Sequence, residues 1–167
     1  MSSQACLTAV QKVLDDENGE KSEYDRGYCI VRPPGHHAHS SYIHGFCFFN
    51  NVAIAAQYAA DKGKKVAIFD WDIHHGDGTQ NIFYDSDKVM YISLHRYDGM
   101  TFFPRRKDSS AGYIGEGKGL GYNINVAWET GKQANEEDRN ANEMTDLGSC
   151  EYEYACEHLL YPILREW

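Results

Sequence analysis

Apolar runs and polar stretches alternate along the chain, and the apolar runs have the lengths of buried strands. Four runs predict strands: GYCIVR at 27–32, KVAIFD at 65–70, VMYISLH at 89–95 and YNINVAW at 122–128. Helix-like segments lie between the first three of these runs. Because strands that alternate with helical crossovers form parallel sheets, the pattern predicts an α/β fold with a mostly parallel sheet flanked by helices.

Several segments carry the signals of helices. Apolar residues recur at helical spacing over 6–13. Asn50 is a suitable N-cap for a second helix, which we expect to end just before Gly63. A polar helix is predicted around 79–84, and an apolar-periodic helix interrupted at its proline is predicted over 152–167.

Charge and composition argue against several classes of protein. The 167 residues carry a formal net charge of -9 at pH 7, and Lys and Arg form no basic patch of the kind that nucleic-acid binding requires. No apolar run approaches the ~20 residues of a membrane span, and the N-terminus lacks the layout of a signal peptide. We therefore expect a soluble intracellular protein that contacts neither nucleic acid nor membrane directly.

The cysteines agree with an intracellular location. Five are present without any CxxC pair, which favours free thiols in a reducing compartment over a disulfide framework. Cys47, within GFCFF at 45–49, is expected to be a small buried hydrophobe. A redox-sensitive thiol at this position is the alternative.

The stretch DWDIHHGDG at 70–78 concentrates carboxylates and imidazoles directly after a predicted strand. Such groups are costly to bury unless a metal or a hydrogen-bonding partner compensates them. Asp72 and His74 are two residues apart on an extended segment, so their side chains can reach one point. Carboxylate and imidazole donors suit zinc, whose catalytic sites take three protein ligands and an open position. A hydrogen bond between Asp72 and His74, without a metal, is the alternative.

Two adjacent histidines, His36 and His37, follow the stiff sequence RPPG at 32–35. One of them could act as a general base on metal-activated water while the other supplies positive charge. Asp70 and Asp77 could orient the rings, because a carboxylate that accepts from the far ring nitrogen fixes the tautomer. A solvated loop dipeptide is the alternative. Four further histidines are expected to be surface or hydrogen-bonded residues: His39, His44, His95 and His158.

Six motifs in order carry a family resemblance: RPPGHHA, HGFCFFNNVAIAA, DWDIHHGDGTQ, YISLHRYD, FFP and GYNINVAW. Together they resemble the catalytic domain of class II histone deacetylases, in the arginase-deacetylase superfamily, most densely from about residue 5 to 128. The resemblance implies a three-layer α/β/α fold and a single partial deacetylase domain over 1–167, with an acidic insertion at 131–148. It also implies the family activity, in which zinc polarises the carbonyl of ε-acetyl-lysine and an activated water attacks it.

The resemblance further implies roles for individual residues. The zinc ligands are Asp72 and His74. The implied catalytic pairs are His37 with Asp77 and His36 with Asp70, and His37 is the histidine that shuttles the proton. The family also binds a potassium ion behind the zinc, and the matching ligands are Asp70, Ser93 and the backbone carbonyls of Asp72, His74 and Leu94.

A substrate passage is implied as well. Phe46 and Phe103 match the aromatic walls around the lysine stem, and the Gly45 carbonyl would accept from the substrate amide. Two aromatic faces suit an aliphatic stem with a neutral head, since the charged amine of free lysine would leave an apolar tunnel. Core packing is the expectation for the remaining aromatic residues of these motifs, Phe48, Phe49 and Phe102.

The chain also departs from the family pattern. Family members carry a third zinc ligand, an aspartate in a GFD-like strand end, and a tyrosine or histidine that binds the oxyanion. Both lie downstream of the region that matches NVAW, and neither is found after Trp128. We therefore expect an incomplete fold and a chain that is weak or inactive alone.

Three functions stay open at this point. The first is a lysine deacetylase acting on histone tails or on cytosolic proteins such as tubulin. The second is an acetylpolyamine amidohydrolase, which would show a constricted, acidic tunnel mouth. The third is a non-catalytic module that binds acyl-lysine or joins a corepressor complex. The sequence contains no nuclear-localisation run of Lys and Arg, which favours the cytoplasm and leaves the nucleus open.

Overall fold

Three parallel strands form the centre of a computed structural model that describes residues 1–14, 22–130 and 147–167. The strands are β1 (Val66–Asp70), β2 (Val89–Arg96) and β3 (Asn123–Trp128), hydrogen-bonded in the order β1-β2-β3. The helices are α1 (Ser2–Leu14), α2 (Asn51–Asp61), α3 (Asp77–Phe83), α4 (Ser149–Ala155) and α5 (Tyr161–Glu166). A π-helical turn (Cys156–Leu160) joins α4 to α5. The predicted α/β fold with a parallel sheet is confirmed.

Helices cover both faces of the sheet. On one face, Val89 and Tyr91 of β2 belong to a core with alanines of α2 and with Phe83 of α3. On the other face, Ile92 and Leu94 pack with residues of the segment from α4 to α5. Successive strand residues point to opposite faces, so the continuous apolar run of β2 fills both cores. This layering is the expected three-layer α/β/α arrangement.

Two expectations about local structure are wrong. Residues 27–32 form no strand, and Tyr28 and Ile30 are 91% and 89% exposed. An apolar run becomes a strand only where another strand pairs with it, and among the residues that the structure describes β1, β2 and β3 pair only with each other. Phe48 and Phe49 are 59% and 68% exposed rather than in the core, because they precede α2 and lie outside its buried face.

The end of the chain differs slightly from its prediction. The closing helix begins at Ser149 instead of residue 152, and the π-helical turn shifts its phase before Pro162 at the start of α5. The predicted insertion at 131–148 falls outside the described residues, except for its last two positions. Within the described ranges, the helices lack the combination of length and apolar character that crossing a bilayer requires.

Asn50 connects α2 to the loops of the site. Its Oδ1 accepts from the backbone N of Ala53 at 3.1 Å, as the N-cap prediction requires. Its Nδ2 donates to the Ala38 carbonyl at 3.1 Å and to Thr79 Oγ1 at 3.0 Å. One buried amide therefore begins a helix and fixes the histidine loop against α3.

We expect Asn50→Ala to lower the free energy of unfolding by about 2–3 kcal/mol. Loss of the cap costs about 1 kcal/mol, and the unpaired Ala38 carbonyl adds about 1–2 kcal/mol because it is left in a buried environment. Urea unfolding followed by circular dichroism measures the change. The matched control is Gln57→Ala on the exposed side of the same helix, for which we expect a change within about 0.5 kcal/mol. Equal effects of the two substitutions would contradict the proposed role of Asn50.

Candidate active site and metal centre

The loops after β1 and β2 meet the histidine loop (33–45) at one end of the sheet. The Ile73 carbonyl, in the segment that leaves β1, accepts from the backbone N of Arg96 at the end of β2 at 2.9 Å. The His36 carbonyl accepts from the backbone N of Thr79 in α3 at 3.0 Å. The histidine loop thus reaches this edge although residues 22–32, which precede it, form no strand. Ligands of open α/β sheets bind beyond the carboxyl ends of the strands, which makes this edge the expected location of a site.

His36 and Asp70 form the first of two imidazole–carboxylate pairs. His36 Nδ1 donates to Asp70 Oδ2 at 2.9 Å, and the same oxygen accepts from Tyr91 Oη at 2.9 Å. Asp70 Oδ1 accepts from the backbone N of Asp72 at 3.1 Å. Burial raises the pKa of Asp70, but the hydrogen bond and charge of His36 outweigh burial and hold this pKa below its ordinary value.

His37 and Asp77 form the second pair, and both side chains are buried. His37 Nδ1 donates to Asp77 Oδ1 at 2.7 Å, which leaves Nε2 as the nitrogen that can accept a proton. Burial raises the pKa of Asp77, but hydrogen bonds from His37 and His39 prevail and lower it to about 2. Asp77 is therefore an ionised carboxylate at neutral pH and fixes the His37 tautomer.

The two adjacent imidazoles have pKa values shifted in opposite directions. Burial lowers both, but the hydrogen bond and charge of Asp70 outweigh it at His36, so that the His36 pKa lies above its ordinary value. At His37 the effect of burial on the pKa is larger than that of the hydrogen bond to Asp77, and the nearby charge of His36 lowers the pKa further. The ring centroids are 4.0 Å apart. The pair can thus hold one proton on His36 while His37 remains a neutral base.

Asp72 and His74 converge, as their spacing predicts. Asp72 Oδ1 accepts from the backbone N of His74 at 2.7 Å and lies 3.0 Å from His74 Nδ1. Two ligand atoms on a tetrahedral zinc ion stand roughly 3.3 Å apart, so this geometry suits both a hydrogen bond and a shared ion. Over residues 1–14, 22–130 and 147–167, no third His, Cys, Asp or Glu donor joins the pair within 4.8 Å.

Aromatic rings surround these histidines. The Phe103 centroid lies 5.0 Å from His37 and 5.8 Å from His74. Phe102, expected in the core, instead stacks on His74 at 5.0 Å with 7° between the planes. Phe46 is 90% exposed and directly follows Gly45, the last residue of the histidine loop. Apolar surface therefore borders the approach to Asp72 and His74.

The residues implied for potassium lie deeper in the sheet. Asp70 and Ser93 are directly opposite each other in the pairing of β1 with β2. Ser93 and Leu94 are fully buried. His95 Nε2 donates to the Ser109 carbonyl at 2.8 Å, so Ser93 Oγ donates to His95 Nδ1, also at 2.8 Å. The lone pairs of Ser93 Oγ remain available to a cation.

The sequence did not identify three groups that face Asp77. His39 Nε2 lies 2.9 Å, His44 Nδ1 3.4 Å and Arg106 Nε 3.9 Å from Asp77 Oδ2. The spacing in HHAH could have predicted the position of His39, because side chains two residues apart in an extended loop point to the same side, so His39 can face the group that His37 faces. Neither His44 nor Arg106 has such a signal, since both reach Asp77 only through the tertiary fold.

Two further histidines are buried behind the site as neutral, hydrogen-bonded rings. Ser109 Oγ donates to His75 Nδ1 at 2.7 Å, and His75 Nε2 donates to Gln80 Oε1 at 3.0 Å. His95 is hydrogen-bonded as expected, between Ser93 and Ser109. Burial lowers the pKa of His75 to about 3 and that of His95 to about 4.

Three glycines let the loops of the site approach without side chains between them. A Cβ at Gly45, where φ is +51°, would lie 2.4 Å from the His37 ring. At Gly76 it would lie 2.5 Å from Asp70 Oδ2, and at Gly78 it would lie 2.4 Å from the Ala38 carbonyl oxygen. The glycines on either side of Asp77 therefore allow both pairs to form.

Cys47, two residues after the histidine loop, is buried, and burial raises the pKa of its thiol. We expect Cys47 to react with iodoacetamide at neutral pH at least ~10-fold more slowly than the exposed Cys150, because only the accessible thiolate reacts. Mass spectrometry of time-resolved digests measures both rates. Equal rates would favour the redox-sensitive alternative for Cys47.

Comparisons with known proteins agree with this geometry. The family model described as the histone deacetylase domain matches residues 1–167. The chain is 39% identical over 172 residues to histone deacetylase 5 of Arabidopsis thaliana, covering 99% of this chain and 24% of that protein. It is 44% identical over 147 residues to histone deacetylase 7 of Homo sapiens, covering 87% of this chain and 14% of that protein. The chain thus spans a quarter or less of the length of these relatives.

A solved structure shows the same fold. The crystal structure of the HDA15 HD domain is similar with a TM-score of 0.78 and 37% identity, over 97% of this chain and 40% of that chain. Sequence and fold therefore agree along nearly the whole length, as the resemblance to class II catalytic domains predicts. The chain belongs to the histone deacetylase domain family.

Proposed function

We propose that this chain is the part of a zinc-dependent protein lysine deacetylase that carries the proton-transfer histidines and two of the zinc ligands. The reaction is hydrolysis of the ε-acetyl-lysine amide to lysine and acetate. The observation that carries the proposal is the pair of adjacent imidazoles, each held by its own carboxylate and shifted oppositely in pKa, beside Asp72 and His74. Membership of the histone deacetylase domain family supports it.

Asp72 and His74 would hold the zinc ion. One carboxylate and one imidazole suit zinc, and the two candidate ligand atoms are 3.0 Å apart on one side of the loop. When bound, zinc polarises the amide carbonyl and lowers the pKa of the attacking water. Catalytic zinc takes three protein ligands, so the proposal requires the third from outside the described residues.

His37 would take the proton of the attacking water on Nε2. Asp77 holds Nδ1–H, and the lowered pKa keeps the ring neutral and able to accept near pH 7. The same nitrogen would then return the proton to the departing amine of lysine. His36, whose pKa beside Asp70 lies above its ordinary value, would in its protonated form supply positive charge near the oxygen on which negative charge develops.

Phe103 and Phe46 would border the passage for the lysine stem, and the Gly45 carbonyl would accept from the substrate amide. An apolar passage favours the uncharged acetylated head over the charged amine of the product. The Phe103 ring, 5.0 Å from His37, supports a stem that ends at the reacting groups.

A structural potassium ion would lie behind the zinc site. Its proposed ligands are Asp70, Ser93 and the backbone carbonyls of Asp72, His74 and Leu94. The support for this assignment is the position of Asp70 opposite Ser93 in the sheet and the free lone pairs of Ser93 Oγ. A cation here would also offset the buried charge of Asp70.

The substrates would be acetyl-lysine proteins, histone tails or tubulin among them, and a corepressor complex is a further proposed partner. We assign the protein to the cytoplasm, the nucleus or both, with no direct contact to nucleic acid or membrane, in line with its net charge of -9. Residues 1–167 would form a single partial domain with an acidic insertion at 131–148.

A chimaera tests the function. Residues 1–167 replace the segment of Arabidopsis histone deacetylase 5 to which they align, so that the host supplies the rest of its own chain. We expect acetate release from an acetyl-lysine peptide that stops on chelation and returns with zinc. The unmodified host protein is the positive control. A folded chimaera that binds zinc without any turnover would contradict the proposal.

We expect the 167-residue chain by itself to turn over acetyl-lysine peptide at least about 10²-fold more slowly than the chimaera. The reason is that the described residues bring neither a third donor to Asp72 and His74 nor a matching oxyanion tyrosine. Acetate release at equal protein and zinc concentrations gives the ratio. Turnover by the isolated chain at a rate similar to that of the chimaera would refute this expectation.

A further inference from the structure

Asp77 faces more imidazole nitrogens than a proton relay requires. The relay uses the bond between Asp77 Oδ1 and His37 Nδ1. The other oxygen, Oδ2, lies 2.9 Å from His39 Nε2 and 3.4 Å from His44 Nδ1. The proposed reaction gives His44 no role.

Three of these groups have the spacing of ligands around a single ion. One ligand atom each of His37, His44 and Asp77 lies within 4.8 Å of the other two. The nitrogens that face the carboxylate are His37 Nδ1, 2.7 Å from Oδ1, and His44 Nδ1, 3.4 Å from Oδ2. Two imidazoles and one carboxylate form a donor set that zinc takes in proteins. Because Asp77 is ionised, it would offset one of the two charges of the ion in this buried setting.

His44 gives an independent sign of a missing ligand. Its Nδ1 is buried and has no hydrogen-bond partner, since the 3.4 Å approach to Asp77 Oδ2 does not meet the geometry of a hydrogen bond. An unpaired buried nitrogen is costly, and coordination would satisfy it. The ring is also held in place, with centroids 5.0 Å from Phe103 and 5.9 Å from His37.

We propose that His37, His44 and Asp77 form a second, inhibitory zinc site, separate from Asp72 and His74. The inhibitory effect rests on the proposed function. An ion bound at His37 Nδ1 displaces the proton of that nitrogen, and the neutral ring then carries its single proton on Nε2. Nε2 can no longer accept the proton of the attacking water, and Asp77 no longer orients the ring. Zinc in excess of the first site therefore stops proton transfer.

Zinc titration of the 167-residue chain by calorimetry tests the site, with two sets of variants. We expect a binding event that persists in the double variant Asp72→Asn/His74→Asn and weakens at least about tenfold in His44→Asn. The matched control is His158→Asn, at an exposed histidine of the π-helical turn, which should leave both events unchanged. If the proposed function is wrong, the chain lacks the binding event that depends on Asp72 and His74. If the second site is wrong, the chain lacks the event that depends on His44, so the titration distinguishes the two outcomes.

Two measurements on the unaltered chain keep the test independent of how the variants fold. Zinc should shift the side-chain NMR signals of His37 and His44 together, at the same zinc concentration. Co²⁺ in place of zinc should give visible bands of a nitrogen and oxygen site without a thiolate charge-transfer band. Unchanged affinity in a folded His44→Asn chain, separate shifts of the two rings, or a thiolate band that places the ion on a cysteine would overturn the proposal.

Discussion

Replacing His37 with asparagine in the chimaera is expected to lower deacetylase turnover by about 10²- to 10⁴-fold, because the proposed reaction then lacks its general base. The substrate KM should change little, since His37 acts on the water and on the leaving amine. The pH profile of the unaltered chimaera adds a second readout. The base must be neutral, and burial lowers the His37 pKa, so activity should persist below pH 6.5 before it falls.

Two further variants serve as a test of the partner carboxylate and as a control. Asp77→Asn keeps the His37 ring but removes the carboxylate that fixes its tautomer, so we expect a large loss of turnover from this change as well. His158→Asn lies on the exposed surface and should leave turnover unchanged. Retention of more than about a tenth of the turnover in His37→Asn would contradict the assignment of the base.

Acidification from pH 7.5 to pH 5 is expected to remove about 4 kcal/mol from the unfolding free energy of the metal-free chain. His75 and His95 have folded-state pKa values of about 3 and about 4, because burial disfavours their charged forms. In the unfolded chain both titrate near 6.5, so between pH 6.5 and pH 4 the unfolded state binds protons that the folded state cannot. Stability is therefore complete above pH 6.5 and falls as the pH decreases, by about 2 kcal/mol for each ring at pH 5.

Urea unfolding with a chelator at the two pH values measures this loss. His36 acts in the opposite direction, since its folded-state pKa is raised, and His37 acts in the same direction, since its pKa is lowered. Variants separate His75 and His95 from these two rings. His95→Asn should lose about 2 kcal/mol of the pH-dependent change, whereas the exposed His158→Asn should keep all of it. An identical pH dependence in His95→Asn and in the unaltered chain would show that His95 is not buried in its neutral form.

The sequence predicts the sheet of this protein well because two independent signals agree there. KVAIFD and VMYISLH are apolar runs of strand length, and each ends in polar residues at the edge where ligands bind. The run GYCIVR carries the same apolar signal without becoming a strand, because strand formation depends on a partner that a local pattern does not reveal. The prediction that Phe48 and Phe49 pack in the core was wrong for a related reason. Apolar character alone does not show which side of a loop faces the core.

The candidate site was predictable only as far as close sequence spacing encodes it. Asp72 and His74 are two residues apart, and their convergence follows from the alternation of an extended segment. The pairing of His37 with Asp77 joins residues 40 positions apart and came from the resemblance to the family. Neither sequence spacing nor the family resemblance pointed to His44 and Arg106, and only the folded chain brings them to Asp77.

Gly45, Gly76 and Gly78 leave no room for a side chain between neighbouring parts of the site, and this close approach has an evolutionary consequence. A methyl group at any of the three would collide with the side chain of His37 or Asp70 or with the backbone of Ala38. We therefore expect the segment from His36 to Gly78 to be inherited as a unit, because a bulkier residue at one of these glycines requires a compensating change in the facing residues. Recombination among members of this family should leave crossover points outside 36–78, and engineered junctions are best placed there as well.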